Sequence, residues 1–305
     1  MKKLIHLIPI FSFALATAAF AGSEDTSKSV AGTPAVTETE QVPLDIFKSE
    51  HSYVFESDLN HGGSFGKQGE IQNELEYGHR IKLSGNFYAH VGFSYDRFDF
   101  GSTNAPVPNH LQSAAGIIGV DYMHGSDVGA FIQARPGFYT ENDFDYSSVD
   151  VPLTAGGVIT LQPDKLYVFV GAYAAFLRGS FPVLPLVGVV WNPCDHVKLF
   201  GVLPEPKLIY SPNKKLDFYL GAELSGGSYR TDTNNSITPH KLSGAQVDYT
   251  DYRAGGGVAY SVNKNFTVDL GAGVSVLREF VFDRAGENYR TDPAPFIRLE
   301  LKAAF

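Results

Sequence analysis

One cysteine, Cys194, occurs in 305 residues, so no internal disulfide framework can hold this chain together. It stands in Asn192-Pro193-Cys194-Asp195, a turn composition, and reads as a turn residue rather than a nucleophile. Beyond the first 21 residues there is no run of about 18 apolar residues, which excludes a membrane protein built from helices. Basic clusters are missing as well. Lys and Arg number 24 against 33 Asp and Glu, a net charge of −9, and such a surface repels nucleic acid. G-x-S-x-G and H-x-x-E-H arrangements do not occur. His79, His90, His110, and His240 with Ser243, therefore carry no catalytic signature, and the chain is not expected to be an enzyme. Asp121 with His124, and Asp195 with His196, are too sparse to read as metal ligands, so neither metal nor other cofactor is expected. The loop acids Glu141, Asp143 and Asp145 read as solvated before they read as a cation site.

The first residues carry a different signal. Lys2 and Lys3 precede a mostly apolar stretch from Leu4 to Phe20, and Ala19-Phe20-Ala21 gives a small-residue cleavage site before Gly22. This pattern predicts a secretory signal peptide over residues 1–21. Its removal takes away two lysines and moves the charge from −9 to −11. Residues 22–45 are rich in Ser, Thr, Glu, Ala and Pro and poor in aromatics. Such a segment buries too little apolar area to offset its ordering entropy, which predicts a disordered periplasmic extension.

From residue 46 to 305 the sequence turns to short alternating segments. Ile71, Leu75, Tyr77, Ile81 and Leu83 alternate with Glu70, Gln72, Glu74, Glu76, Arg80 and Lys82. Phe87 to Tyr95, Val128 to Arg135, Leu216 to Ser225 and Phe266 to Val276 repeat this period of two. So does the last stretch, where Ile297, Leu299, Leu301 and Phe305 oppose Arg298, Glu300 and Lys302. Period two means strands with one apolar and one polar face. The polar face is too rich in charge and glycine to form a second packed core, so apolar-out, polar-in is expected. Connections alternate between short turns, such as Ser84-Gly85-Asn86 and 262–265, and longer loops at 60–69, 101–110, 140–150, 231–243 and 283–293. The expected fold is all-β, a transmembrane antiparallel up-and-down barrel. It has 14 strands if Leu203-Pro204-Glu205-Pro206 reverses the chain, and 12 if that segment is an excursion.

A chain that ends on an aromatic residue after such a strand resembles the Gram-negative outer-membrane barrels, whose assembly machinery reads a terminal Phe. Within them, Pro185 to Trp191, Leu203 to Tyr210 and Gly226 to Arg230 resemble an uncharacterised barrel family whose activity is unknown. The resemblance implies the cell outer membrane as location. It implies outer-membrane lipid, lipopolysaccharide and the barrel-assembly machinery as partners. Trp191 reads as an interfacial belt residue. Glu70, Glu74, Glu76, Arg80, Lys82, Arg298, Glu300 and Lys302 are the candidate lumen-lining residues, since charged rings in a water-filled barrel set selectivity. The expected function is a passive or weakly selective channel for small hydrophilic solutes. Its rival is a non-conducting barrel that stabilises the envelope or presents loops, and an outer-membrane hydrolase stands behind both.

If the terminal strand is the assembly signal, deleting Phe305 will lower the amount of heat-modifiable, folded protein in the outer membrane. An unchanged folded yield would remove that role from Phe305.

Overall fold

A computed structural model describes residues 42–305 except 125–126, 180–181 and 235. The predicted signal peptide and residues 22–41 of the predicted extension lie outside the described residues. Fourteen wall strands close into one antiparallel barrel. They are β1 (Asp45–Asn60), β2 (Ser64–Ser84), β3 (Phe87–Phe100), β4 (His110–His124), β5 (Asp127–Ala134 and Gly137–Thr140), β6 (Val149–Asp150 and Leu153–Gln162) and β7 (Leu166–Ala174). Then come β8 (Val183–Cys194), β9 (Val197–Val202), β10 (Lys207–Asn213), β11 (Leu216–Arg230), β12 (Gln246–Ser261), β13 (Phe266–Phe282) and β14 (Glu287–Thr291 and Ala294–Ala304). The seam closes where β1 pairs with β14, from Ile46 opposite Ala304 to Val54 opposite Phe296.

Proline decides where the ladders break. β5, β6 and β14 are each interrupted at an X-Pro step, Arg135-Pro136, Val151-Pro152 and Asp292-Pro293. A proline has no N–H to give a ladder. The segment 203–206, with two prolines, reverses the chain between β9 and β10, which makes the count fourteen rather than twelve. Two expected loops turn out to be ladder. β2 already begins at Ser64, with Asn60 opposite Ser64, so only 61–63 remain as the connection. Residues 287–291 likewise pair with β13. Bulges allowed both hairpins to run on past the point where strict alternation ends.

Those bulges also reverse the faces. On β13, Asp269 and Ser275 point inward, but Tyr252 pairs with Leu277 and Arg253 with Ser275, which leaves Val276 as an extra residue. Beyond it the inward positions become Arg278, Phe280 and Phe282, all fully buried. An extra residue shifts the pleat by one and exchanges the two faces. β1 does the same between Val54 and Ser57.

The result is a protein turned inside out. Ile71, Phe93, Ile132, Val187, Leu220 and Leu270 are exposed around the outer wall, while Glu50, Glu70, Arg253, Arg278 and Glu300 are buried within. In water this exterior would be a patch of hopeless size; in hydrocarbon it is the solvated surface. Trp191 and Phe87 stand on the outer face near the short turns, where aromatic side chains meet the membrane interface. Leu270→Arg will lower the stability of protein refolded in lipid vesicles by about 2–4 kcal/mol, whereas Leu270→Met will cost less than about 1.5 kcal/mol. Equal costs for the two would mean that Leu270 does not face lipid.

Candidate functional site

The lumen is where the charged residues collect, and they meet in pairs. Arg253 on β12 lies 3.0 Å from Glu70 on β2, 3.2 Å from Glu223 on β11 and 2.6 Å from Asp251. Arg278 approaches the other oxygen of Glu70 at 3.6 Å and donates to the Gln68 carbonyl. Tyr249 donates its hydroxyl to the same carboxylate. Glu70 therefore ties β2 to β12 and β13 across the barrel interior. Arg298 on β14 continues the set, 2.6 Å from Glu223 and 2.9 Å from the Tyr219 hydroxyl. Nearer the short turns, Lys48 lies 3.3 Å from Glu50, 3.1 Å from Glu74 and 3.5 Å from Glu300. A half-satisfied network would be worse than an apolar core, and several partners per charge are what make this one tolerable.

Of the residues expected to line the lumen, Glu70, Glu76, Arg80, Arg298 and Glu300 are buried inside the barrel. Arg80 is 2.8 Å from Asp121, and Glu76 is 2.8 Å from Arg135. Glu74 is mostly buried beside Lys48. Lys302 is one-third exposed and pairs with Glu300 at 2.7 Å. Lys82 stands exposed next to the turn at Gly85. Phe305 is exposed at the seam, where its carbonyl accepts the Leu44 and Asp45 N–H groups and its own N–H donates to Asp45. The sequence reading overlooked Lys48, Glu50, Asp251, Arg253 and Arg278. Lys48 and Glu50 in β1, and Asp251 and Arg253 in β12, were legible by period two, but the extra residue in β13 hid Arg278.

At the loop end the lumen is stopped by aromatic rings. Phe98, Phe100, Tyr249 and Phe280 meet edge to face or tilted with centroids 4.9–5.1 Å apart, and Leu59, Leu111, Phe282 and Tyr289 complete the cluster. Edge-to-face pairs favour such a stopper beyond the area it buries. Above it, β11 parts from β10 while staying paired with β12, and its end reaches across to β5. Arg230 pairs in parallel with Thr140 of β5, and the Glu141 N–H donates to the Arg230 carbonyl at 2.9 Å. The loops beyond clasp each other. Asp232 accepts from the N–H groups of Asn142 and Asp143, both at 3.1 Å, and its own N–H donates to Glu141. The loop acids are thus occupied within the fold. Asp145 caps a short 3-10 turn by accepting from Ser147 and Ser148, and the Ser147 hydrogen bonds hold its carboxyl below the usual range. His240 and Ser243 meet through the backbone, Ser243 N–H to His240 carbonyl, as the two ends of a turn. Among the described residues no group of three or more His, Cys, Asp or Glu could hold a metal ion.

The reach of β11 across to β5 divides this end of the interior. On one side stand the ion pairs and the aromatic stopper. On the other, β7 to β9 turn a mainly apolar face inward, made of Phe169, Tyr173, Leu184, Leu186, Val190 and Val202, with Lys198 on the same face of β9. Within the ion-paired half a cavity of about 20 Å³, room for about one water, is lined by Lys207, Tyr219, Glu223, Arg253, Phe296 and Arg298. Its floor is glycine. A Cβ on Gly271 would lie 2.9 Å from the Tyr219 hydroxyl, so that ring needs a neighbour without a side chain.

No known protein-family pattern matches this sequence, and no curated protein matches it. Solved structures do resemble it in shape. An outer-membrane channel from Pseudomonas putida F1 is 11% identical over 90% of this chain and 100% of that one, with a TM-score of 0.46. The toluene transporter TodX of P. putida is 9% identical over 86% and 90%, with a TM-score of 0.37. The translocator domain of the autotransporter NalP from Neisseria meningitidis is 12% identical over 88% and 90%, with a TM-score of 0.39. These are what the chain is similar to in shape, and its activity has to be read from its own residues. Its even number of antiparallel strands, closed seam, short turns at one end and apolar exterior are those of outer-membrane-type transmembrane β-barrels.

Proposed function

We propose that this chain is an outer-membrane barrel for the passive passage of small solutes, with its central axis shut to ions. The signal-peptide pattern and the closed barrel with its apolar exterior support the location, and that exterior is suited to outer-membrane lipid and lipopolysaccharide. Phe305, at the seam, remains the proposed assembly signal. Glu70, Glu74, Glu76, Arg80, Arg298 and Glu300 are proposed to line and stiffen the lumen rather than to form an open charged ring. The observation that carries passage is the division made by β11, which leaves a mainly apolar lobe beside the ion-paired half. A barrel that only stabilised the envelope would have no use for two unlike interiors.

The second reading, a non-conducting barrel, is favoured by the near-complete burial of Glu70, Arg253 and Arg278. The two readings part on transport. Purified native protein in planar bilayers will pass no steady ion current. Cells that lack the protein will take up at least one member of a panel of small uncharged solutes several-fold more slowly than cells that make it. If deletion changes the uptake of none of them, the non-conducting reading stands and passage falls.

A further inference from the structure

On the outer wall, Val268, Leu270 and Ala272 of β13 stand opposite Leu301, Leu299 and Ile297 of β14. β14 pairs next with β1, and there the apolar surface is broken. Leu301 stands opposite Ser49 and Leu299 opposite His51, and an aromatic ring returns only at Tyr53, opposite Ile297. On the far side of β1, His51 stands opposite Asn73 of β2, which lies between the outward Ile71 and Leu75. Residues directly opposite share a face of the sheet. Glu50 and Ser52, the chain neighbours of His51, are buried in the lumen, so Ser49, His51 and Asn73 point to the membrane. Polar and ionisable side chains on the lipid face are costly to keep there, and they mark sites of function.

The three polar groups are joined in one order. Asn73 Oδ1 lies 2.8 Å from His51 Nδ1, and His51 Nε2 lies 3.3 Å from Ser49 Oγ. An amide oxygen only accepts, so Nδ1 holds the imidazole proton and Nε2 turns its lone pair to the serine hydroxyl. A hydroxyl, a base and a group that orients the base make up an activated nucleophile. His79, also outward on β2, has no such order. Its Nδ1 meets Asp45, and the hydroxyl on that carboxylate is that of Tyr77. The row that holds His51 also has a level in the membrane. Asn73 pairs with Arg97 of β3, whose guanidinium holds Asp99 at 2.7–3.0 Å on the outer face. Charge on a barrel's exterior costs least near the interface, so the row climbs from His51 to the headgroup level at the loop end.

We propose that Ser49, His51 and Asn73 form a catalytic site on the membrane face of the barrel, which hydrolyses acyl esters of membrane lipids. Nothing in it depends on the passage reading. Ser49 Oγ attacks the ester carbonyl carbon as its proton passes to His51 Nε2. The bond from that carbon to the alkoxy oxygen breaks, and His51 gives the proton to the leaving alcohol. Water then attacks the acyl-serine, loses a proton to His51 and frees the fatty acid, and Ser49 regains its hydrogen. One ester and one water become one acid and one alcohol. Asn73 acts through His51 and is a positioning residue. A lipid reaches the site by moving along the bilayer with its headgroup beside Arg97. Its acyl esters lie on the hydrocarbon side of that headgroup, where His51 and Ser49 stand. Glycerophospholipid and lipopolysaccharide both carry such esters.

An alkyl fluorophosphonate, which bonds its phosphorus to an activated serine oxygen and releases fluoride, reads the nucleophile without a lipid substrate. Native protein refolded in vesicles will be labelled at Ser49, and Ser49→Ala will not be labelled. His51→Leu and Asn73→Leu, both suited to the lipid face, will slow labelling at least tenfold, and Asn73→Asp will bring it back towards the native rate. Heat-modifiability establishes that each variant is folded, and His51→Gln replaces His51→Leu if that one is not. In vesicles of phosphatidylethanolamine, and separately in vesicles that contain lipopolysaccharide, native protein will release fatty acid in at least one and Ser49→Ala in neither. The arm that responds names the lipid. No labelling of Ser49 in folded native protein would overturn the site. Labelling unchanged by His51→Leu and Asn73→Leu would overturn the activation of Ser49, and labelling without fatty acid from either vesicle would overturn lipid esters as the substrate.

Discussion

The carboxylate of Glu70 is the point on which the interior turns. It receives Arg253, Arg278 and the Tyr249 hydroxyl, and so joins β2 to β12 and β13 through the middle of the barrel. A membrane barrel places much of its apolar surface in lipid, which leaves its lumen less to bury, here the aromatic cluster at the loop end and the apolar face of β7 to β9. What draws opposite walls together here is charge in a poorly solvated space, where unpaired ions are costly and paired ones are held firmly. Once β2 and β12 are tied, Glu223 can reach both Arg253 and Arg298, and the aromatic rings of β3 and β13 close above Tyr249. One half of the barrel thereby becomes a core.

The other half follows from what that core leaves out. β11 stays paired with β12 in the ionic half, and its end is held against β5 by Arg230 and Asp232. The wall beside it is then a short hairpin and the edge of β8, with mainly apolar side chains behind them. The same molecule thus carries a rigid, ion-paired half and an apolar half at the membrane's side. Stability resides in the first and the proposed passage in the second.

Much of this was legible before any coordinates. Alternation placed Glu70, Glu76, Arg80, Arg298 and Glu300 on the inner face and Ile71, Leu220 and Leu270 on the outer, because the pleat has a period of two wherever a ladder is unbroken. Pro204 and Pro206 announced the reversal that brings the count to fourteen. Arg278, Phe280 and Phe282 were not legible, since the extra residue at Val276 exchanges the faces and sequence alone does not reveal a bulge. Nor was the partner of any charge. Glu70 and Arg253 are 183 residues apart, and only barrel closure brings them together. The stopper ring Phe98 shares the inward parity of His90 and Asp96 and could have been found by carrying β3 two residues further.

A double-mutant cycle on Glu70 and Arg253 tests most directly whether these charges form one core. Glu70→Gln and Arg253→Met, refolded in lipid vesicles and unfolded in denaturant, will each cost about 3–5 kcal/mol, because each strands a buried partner. The double variant will cost less than the sum of the two losses by about 1–3 kcal/mol, the coupling between the pair. Strict additivity of the two losses would contradict the account.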